Sequence, residues 1–203
     1  MPQIPYVLVL FYSRHGSVSE MAKHIARGIN KTGSVEAKIR QVPDVSDTTK
    51  VAAPALPDDG APYCTLEELA ECSGLAIGSP SYFGSMAAPL KHFIDQTSTL
   101  WLTGQLIDKP ACGFTSASTM HGGQEQCLHS MMTPLLHHGM VWLGLPYKNK
   151  ELISTTTGGT PYGASHLANS TNETSLTDDE KALCEAQGKR IAEMVAKLKK
   201  IIA

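Results

Sequence analysis

The stretch Tyr6-Val7-Leu8-Val9-Leu10-Phe11-Tyr12-Ser13-Arg14-His15-Gly16-Ser17-Val18 passes without a break from apolar residues to a turn of hydroxyls and glycine. An apolar run with no polar alternation reads as a strand covered on both faces, the condition of a parallel sheet. A helix is predicted next, because Val18, Met21, Ala22, Ile25 and Ile29 recur at helical spacing, with Ser17 and Glu20 as its capping box. Strand, polar turn and amphipathic helix in succession begin a crossover unit, and the rest of the chain repeats the pattern.

Working outward, Val35, Ala37 and Ile39 alternate with Glu36, Lys38 and Arg40, as in a more exposed edge strand. Residues 43–63 carry four prolines and read as a surface excursion, after which Thr65 and Glu68 cap a helix. Buried strands are predicted at Gly74 to Gly78, Ala111 to Thr115 and Met140 to Leu145. Between them lie a helix with Pro89 in its first turn and one whose core face is Cys127, Leu128, Met131, Met132, Leu135 and Leu136. The last helix starts at a Thr177 and Glu180 capping box and buries Leu183, Ile191, Met194, Val195, Leu198 and Ile201. Residues 146–175 read as a long ordered loop of the functional kind. This alternation predicts an α/β, doubly wound, three-layer sandwich, one domain over residues 1–203, with ligands beyond the carboxyl ends of its strands.

Composition narrows the function. A net charge of −2 over 203 residues leaves no basic excess for nucleic acid or an anionic membrane. The apolar start, Met1 to Ser13, lacks both a basic segment before it and the length to span a bilayer. Five cysteines, odd in number and without a C-x-x-C pair, fit the reduced thiols of a cytoplasmic protein. No metal site is expected, since His137 and His138 point different ways and no carboxylate completes a ligand set. A phosphorylated receiver domain would need carboxylates where Tyr12-Ser13 and Ser79-Pro80 stand, and a hydrolase would need a G-x-S-x-G elbow, which is missing.

Three strand exits then hold the candidate site. In Ser13, Arg14, His15, Gly16, Ser17 and Val18, hydroxyls and helix-start amides would surround a phosphate. Neither G-x-G-x-x-G nor G-x-x-x-x-G-K-[ST] is present, which points to a mononucleotide. The same serines would also serve simply as helix caps. Ser81, Tyr82, Phe83 and Gly84 offer aromatic surface, and Ser116, Ala117, Ser118, Thr119 and Gly122 let main chain approach closely. Together these two loops would flank a flat ring such as an isoalloxazine. The alternative for Tyr82 and Phe83 is a place inside a loop core.

The chain also carries Phe93-Ile94-Asp95-Gln96-Thr97, Leu100-Trp101, Gly122-Gly123-Gln124-Glu125-Gln126, Leu136-His137-His138-Gly139-Met140-Val141 and Gly158-Gly159-Thr160-Pro161-Tyr162-Gly163-Ala164. With these motifs it resembles, end to end, the tryptophan-repressor-binding protein (WrbA) family of flavodoxin-like NAD(P)H:quinone oxidoreductases. The resemblance implies a five-stranded parallel sheet of order 2-1-3-4-5 and a bound FMN. It implies NADH or NADPH as donor and a ping-pong, two-electron reduction of quinones to hydroquinones. The phosphate loop would be Ser13 to Val18, the ring would lie against Ser81 to Gly84 and Ser116 to Gly122, and His137 would be a further flavin ligand with a catalytic part. Homotetramers built through dimers are implied, with Trp101 closing a neighbour's substrate site. The departures from the family are His15 in place of an aromatic, Ser81-Tyr82 in place of Thr-Arg, and Ser118 to His121 in place of a glycine-rich run. They cluster over the nicotinamide and substrate face, where His15 would stack, hydrogen-bond or stay solvated. Two other readings of the same residues are an electron carrier or flavin-binding interaction protein without turnover, and an NAD(P)H-dependent FMN reductase. The near-neutral charge argues against a carrier, which is usually strongly acidic.

Overall fold

In β1 (Tyr6–Phe11) the alternation of a strand sends Val7, Val9 and Phe11 to one face and Leu8 and Leu10 to the other, all buried. Two separate apolar cores grow from these two faces. The computed structural model describes residues 4–45, 57 and 60–202, with the side chains of 201 and 202 excepted. Most of the excursion expected near 43–63, and the inward side chain expected at Ile201, lie outside the described residues.

The elements follow as α1 (Ser17–Asn30), β2 (Glu36–Gln41), α2 (Leu66–Glu71), β3 (Gly74–Tyr82), β4 (Ser85–Met86), α3 (Ala88–Asp95) and α4 (Ser98–Leu102). Then come β5 (Pro110–Ala117), α5 (Gln124–His137), β6 (Val141–Trp142), α6 (Glu151–Ser154), β7 (Ala164–Leu167) and α7 (Asp178–Ile202). The sheet runs β2-β1-β3-β5-β6, every neighbour parallel, which is the 2-1-3-4-5 order of the five sheet positions. Val18, Met21, Ile25 and Ile29 of α1 pack with Leu183, Ile191 and Val195 of α7 on one face. Leu69, Leu90, Phe93, Leu128, Met131 and Leu135 cover the other. The result is a doubly wound three-layer sandwich. Helices α1 and α7 touch backbone to backbone: a Cβ on Gly28 would lie 2.1 Å from the Glu185 carbonyl oxygen, and one on Gly188 2.0 Å from that of Ile25.

Four details depart from the sequence reading. The Ser17 and Glu20 capping box does not form; Gly16 is the N-cap at φ 97°, and the Ser17 hydroxyl is drawn away to the Glu173 carbonyl, 2.9 Å. Leu136 is exposed and Met132 half-buried, because the core face of α5 is narrower than its apolar content. The loop expected after Pro80 is a hairpin, with β4 antiparallel to the extended end of β3. Residues 146–175 contain a strand: β5 is flanked first by β6, at Pro110 and Ala111, and then by β7, from Phe114 to Ala117. One sheet position is therefore filled twice, with residues 143–163 looping out between. The chain leaves and returns at a pinch where the Leu145 amide donates to the Pro161 carbonyl, 2.8 Å, and a Cβ on Gly144 would lie 2.2 Å from that oxygen. Buried Gln187 bridges the gap, accepting from the Ala164 amide and donating to the Gly113 carbonyl, both 2.6 Å. The capping boxes at Thr65 and Glu68 and at Thr177 and Glu180 are both formed.

Candidate active site

The carboxyl ends of β1, β3, β5 and β7 meet around one cleft of about 120 Å³. Its walls are Ser13, Arg14, His15, Ser17 and Val18 from the first exit, Pro80, Ser81 and Tyr82 from the second, and Ser116, Ala117 and Ser118 from the third. Ala168 and Asn172, after β7, close it. All three exits expected from the sequence are thus brought together, and a fourth is added.

At the first exit Ser13 organises the turn, because its Oγ accepts from the amides of Gly16, 3.2 Å, and Ser19, 3.3 Å. Gly16 supplies the left-handed backbone that reverses the chain, and a Cβ there would also press Thr174 Cγ2 at 3.2 Å. The Glu20 amide bonds to the Gly16 carbonyl as α1 begins. The amides of Ser17 and Val18, the first two of the helix, have no acceptor among the described residues, so two donors and the positive end of the helix face the cleft. Arg14 and His15 are exposed at its mouth. Below them the Tyr12 hydroxyl donates to Asp44 Oδ1, 2.7 Å, and burial together with this bond holds the phenol well above its ordinary value.

The second and third exits are tied to each other. The Ser81 hydroxyl donates to the Gly122 carbonyl, 2.7 Å, and within the third exit Gln124 Nε2 donates to the Thr119 carbonyl, 2.9 Å. A Cβ on Gly122 would lie 2.6 Å from Ala117 Cβ and one on Gly123 2.7 Å from Gly84 Cα, so close approach here requires glycine. The hairpin turns at Phe83, φ 51°, and Gly84, φ 75°. Tyr82 is 39% exposed and Phe83 108%, so neither fills a loop core. Ser118 and Thr119 are exposed, whereas Ser116 and Ala117 are buried at the floor. Beyond this loop a second cleft of about 590 Å³ opens between the start of α5 and the Thr157 to Ser165 segment, where His129 and Tyr162 meet edge to face.

His137 and Trp101 stand elsewhere. Both line a groove of about 510 Å³ at the carboxyl end of α5, while the cleft lies at the amino end of that helix, about 20 Å away at 1.5 Å per residue. A single chain does not bring them to the cleft at the strand exits. Trp101 is 53% exposed and Leu102 75%. Neighbouring His138 is buried and bonded to Thr97 Oγ1 at 2.8 Å; burial and the proximity of His137 lower its pKa.

Sequence reasoning missed Ala168, Asn172 and what lies behind them. Glu180, read only as a cap, is buried with a carboxylate that accepts from four donors. Gly158 and Leu167 amides reach Oε1 at 2.9 and 3.0 Å, while the Thr177 amide and His166 Nδ1 reach Oε2, both at 2.9 Å. Burial alone would raise this carboxyl, but the bonds from His166 and the amides outweigh it and hold it at about 2. The one available signal was His166 itself, a titratable residue flanked by Ala164 and Leu167 in a segment otherwise read as loop.

The cysteines offer no nucleophile. Burial pushes Cys72 and Cys127 up to about 11 and Cys64 and Cys112 to about 12, and no disulfide joins the described cysteines. Among the described residues no group of three or more His, Cys, Asp or Glu is placed to hold a metal ion, and no helix is long and apolar enough to cross a membrane.

The family model for NADPH-dependent FMN reductase matches residues 6–149. A protein of Geobacter metallireducens named NAD(P)H dehydrogenase (quinone) is 40% identical over 200 residues, covering 95% of this chain and 98% of that one. One of the same name from Syntrophobacter fumaroxidans is 37% identical over 199 residues with the same coverage. Among solved structures, a WrbA-like flavodoxin from Agrobacterium tumefaciens superposes with a TM-score of 0.66 at 18% identity, covering 95% and 98% of the two chains. An archaeal flavodoxin does so at 0.61 and 20%, covering 94% and 99%.

Proposed function

The chain belongs to the NADPH-dependent FMN reductase family, and from that membership we propose that it is an FMN-dependent NAD(P)H:quinone oxidoreductase, reducing quinones by two electrons in a ping-pong cycle. The observation that carries the reading is the pair of unpartnered amides at Ser17 and Val18, set in a hydroxyl-lined turn, in a chain 40% identical to a named NAD(P)H dehydrogenase (quinone). The residues fit a phosphate: two helix-start amides, the Ser13 hydroxyl and Arg14 line the cleft, and the Ser17 hydroxyl, bonded to the Glu173 carbonyl, lies beside them. A cleft of about 120 Å³ suits a phosphate and its linker, with a flat ring beside exposed Tyr82 and the Ser116 to Gly122 loop.

Bound FMN would supply the redox chemistry, taking a hydride from NADH or NADPH and passing two electrons to the quinone. The chain's own part is to bind, orient and exclude water. Ser13 and Gly16 shape the anion site, while Ser17 and Val18 donate to it. Ser81 and Gly122 hold the two ring-side loops together. Tyr82 and Phe83 offer apolar surface to the ring and its substrates, and His15, at the mouth, is placed to meet the incoming nucleotide or quinone. His137 and Trp101, sharing one groove on the far end of α5, act on a neighbouring subunit's site in a homotetramer assembled through dimers. There His137 would help to hold the bound flavin as a hydrogen-bond donor. The protein works as one domain in the cytoplasm.

Titration with FMN under fluorescence quenching tests the phosphate site: the Ser13→Ala, Ser17→Ala double variant should lose at least tenfold in FMN affinity and little in riboflavin affinity. Oxidation of NADH or NADPH should require benzoquinone, with parallel double-reciprocal plots. The family description favours a second reading, a reductase that releases reduced FMN. Flavin that leaves on gel filtration and saturates as a substrate would favour it over the first.

A further inference from the structure

Behind the phosphate turn lies a buried imidazole whose two neighbours are both acceptors. His166, 1% exposed, sets Nδ1 2.9 Å from the Glu180 carboxylate and Nε2 2.9 Å from the Glu173 carbonyl. A neutral ring has one N–H and would meet one of these oxygens lone pair to lone pair. The geometry therefore requires both nitrogens to carry protons. Burial opposes the charge, but the bonds to Glu180 and Glu173 and their negative field prevail and raise the pKa. The titratable groups around the ring are Glu180 from α7 and Glu173 from the loop after β7, with Cys184 one turn along α7 held protonated by burial.

A buried ion pair is weak evidence for stability, since an apolar pair of like volume often does as well; its value is a fixed geometry. Here the geometry has a direction. Glu180 is held in place by four donors from three chain segments. It fixes the imidazolium, the imidazolium fixes the Glu173 carbonyl, and that carbonyl also accepts the Ser17 hydroxyl at 2.9 Å. Ser17 has a single hydroxyl proton. To give it to a phosphate oxygen it must abandon the carbonyl, which would be left an orphaned acceptor were His166 not still donating to it.

Resting on the FMN reading above, we propose that His166 and Glu180 are positioning residues for the phosphate end of the cleft, keeping the Glu173 carbonyl satisfied so that the Ser17 hydroxyl is free to turn to the phosphate. The affinity for the phosphate of FMN, and not for its ring, then depends on the pair. Equilibrium binding of FMN and of riboflavin to the purified full chain tests this, read by flavin fluorescence. In His166→Leu, FMN affinity should fall about tenfold and riboflavin affinity should stay within twofold, with His166→Gln, whose amide keeps a donor, recovering most of the loss. Equal losses for both flavins, or no loss for either, would overturn the proposal while leaving the FMN reading in place. Wild-type protein without preference for FMN over riboflavin would overturn that reading, and the proposal with it. Nitrogen-15 NMR of the wild-type histidines needs no variant: one imidazole should still carry both ring protons above the ordinary value of about 6.5, and a His166 that is neutral below that value would sink the idea.

Discussion

The two walls of the cleft are built on opposite plans. In the wall made by Ser13 to Val18 and residues 168–173, Ser13 and Ser17 are tied into hydrogen bonds that lead through the Glu173 carbonyl and His166 to a carboxylate with four donors. The wall made by the β3–β4 hairpin ends in Phe83, fully exposed and in left-handed backbone, and Tyr82, 39% exposed. The contrast teaches how an anion and a flat apolar group are met differently. A phosphate must be offered prepositioned donors, because each unpaired polar group beneath it is costly. A ring or quinone needs only surface, so that surface can stand in solvent until it is covered.

Changes to the first wall should therefore cost stability and affinity together, and changes to the second should cost function alone. The largest effect is expected for Glu180→Ala, which strands the buried His166 charge and three amides. A loss of about 3–5 kcal/mol in urea unfolding would fit, and a loss below about 1 kcal/mol would erase the contrast.

Acid should act on the same wall. The Glu180 carboxyl sits at about 2 against an ordinary 4.5, so its folded pKa is depressed. The stability it contributes is present above pH 4.5 and disappears as the pH falls toward 2, on the order of 3 kcal/mol in all. His166 is shifted the other way: its contribution is complete below about 6.5 and fades as the pH rises through its raised folded value. Stability measured against pH should peak between these limits, and in Glu180→Gln the acid limb should flatten.

A smaller effect is expected at Gly16, whose φ of 97° a side chain resists by about 1–2 kcal/mol. Gly16→Ala should lower the unfolding midpoint modestly and weaken FMN severalfold, because the turn that aims the Ser17 and Val18 amides must open. The smallest stability change belongs to the second wall. Phe83→Ser should stay within about 0.5 kcal/mol of wild type, while the KM for a quinone rises severalfold. A destabilised Phe83→Ser would mean that the hairpin is held by its aromatic after all.

Legibility followed the same division. The β1 run and the helical spacing of α1 were readable because burial on both faces, or on one stripe, writes itself into the order of apolar residues. The strand exit at Ser13 to Val18 was readable as a wall of the cleft for the same local reason. Its cap was misread: Ser17 looked like the start of a capping box, but its hydroxyl is taken by Glu173, 156 residues on. The hairpin after Pro80 was hidden because Ser-Tyr-Phe-Gly-Ser lacks the Asn-Gly or Asp-Gly that marks so tight a turn.

By itself the sequence determined the doubly wound architecture, the strand order through its family resemblance, and the three exits that meet at the cleft. Each of these depends on local periodicity or on motifs of adjacent residues. Only the tertiary structure decided that residues 164–167 return to the sheet beside β5, that His166, Glu173 and Glu180 stand behind the Ser13 to Val18 turn, and that His137 and Trp101 lie a helix length from it. A four-residue strand carries too little pattern to announce itself, and the charge state of a buried imidazole is set by which oxygens surround it. Those oxygens are gathered by the fold from segments far apart in the chain, so no local window of the sequence contains them.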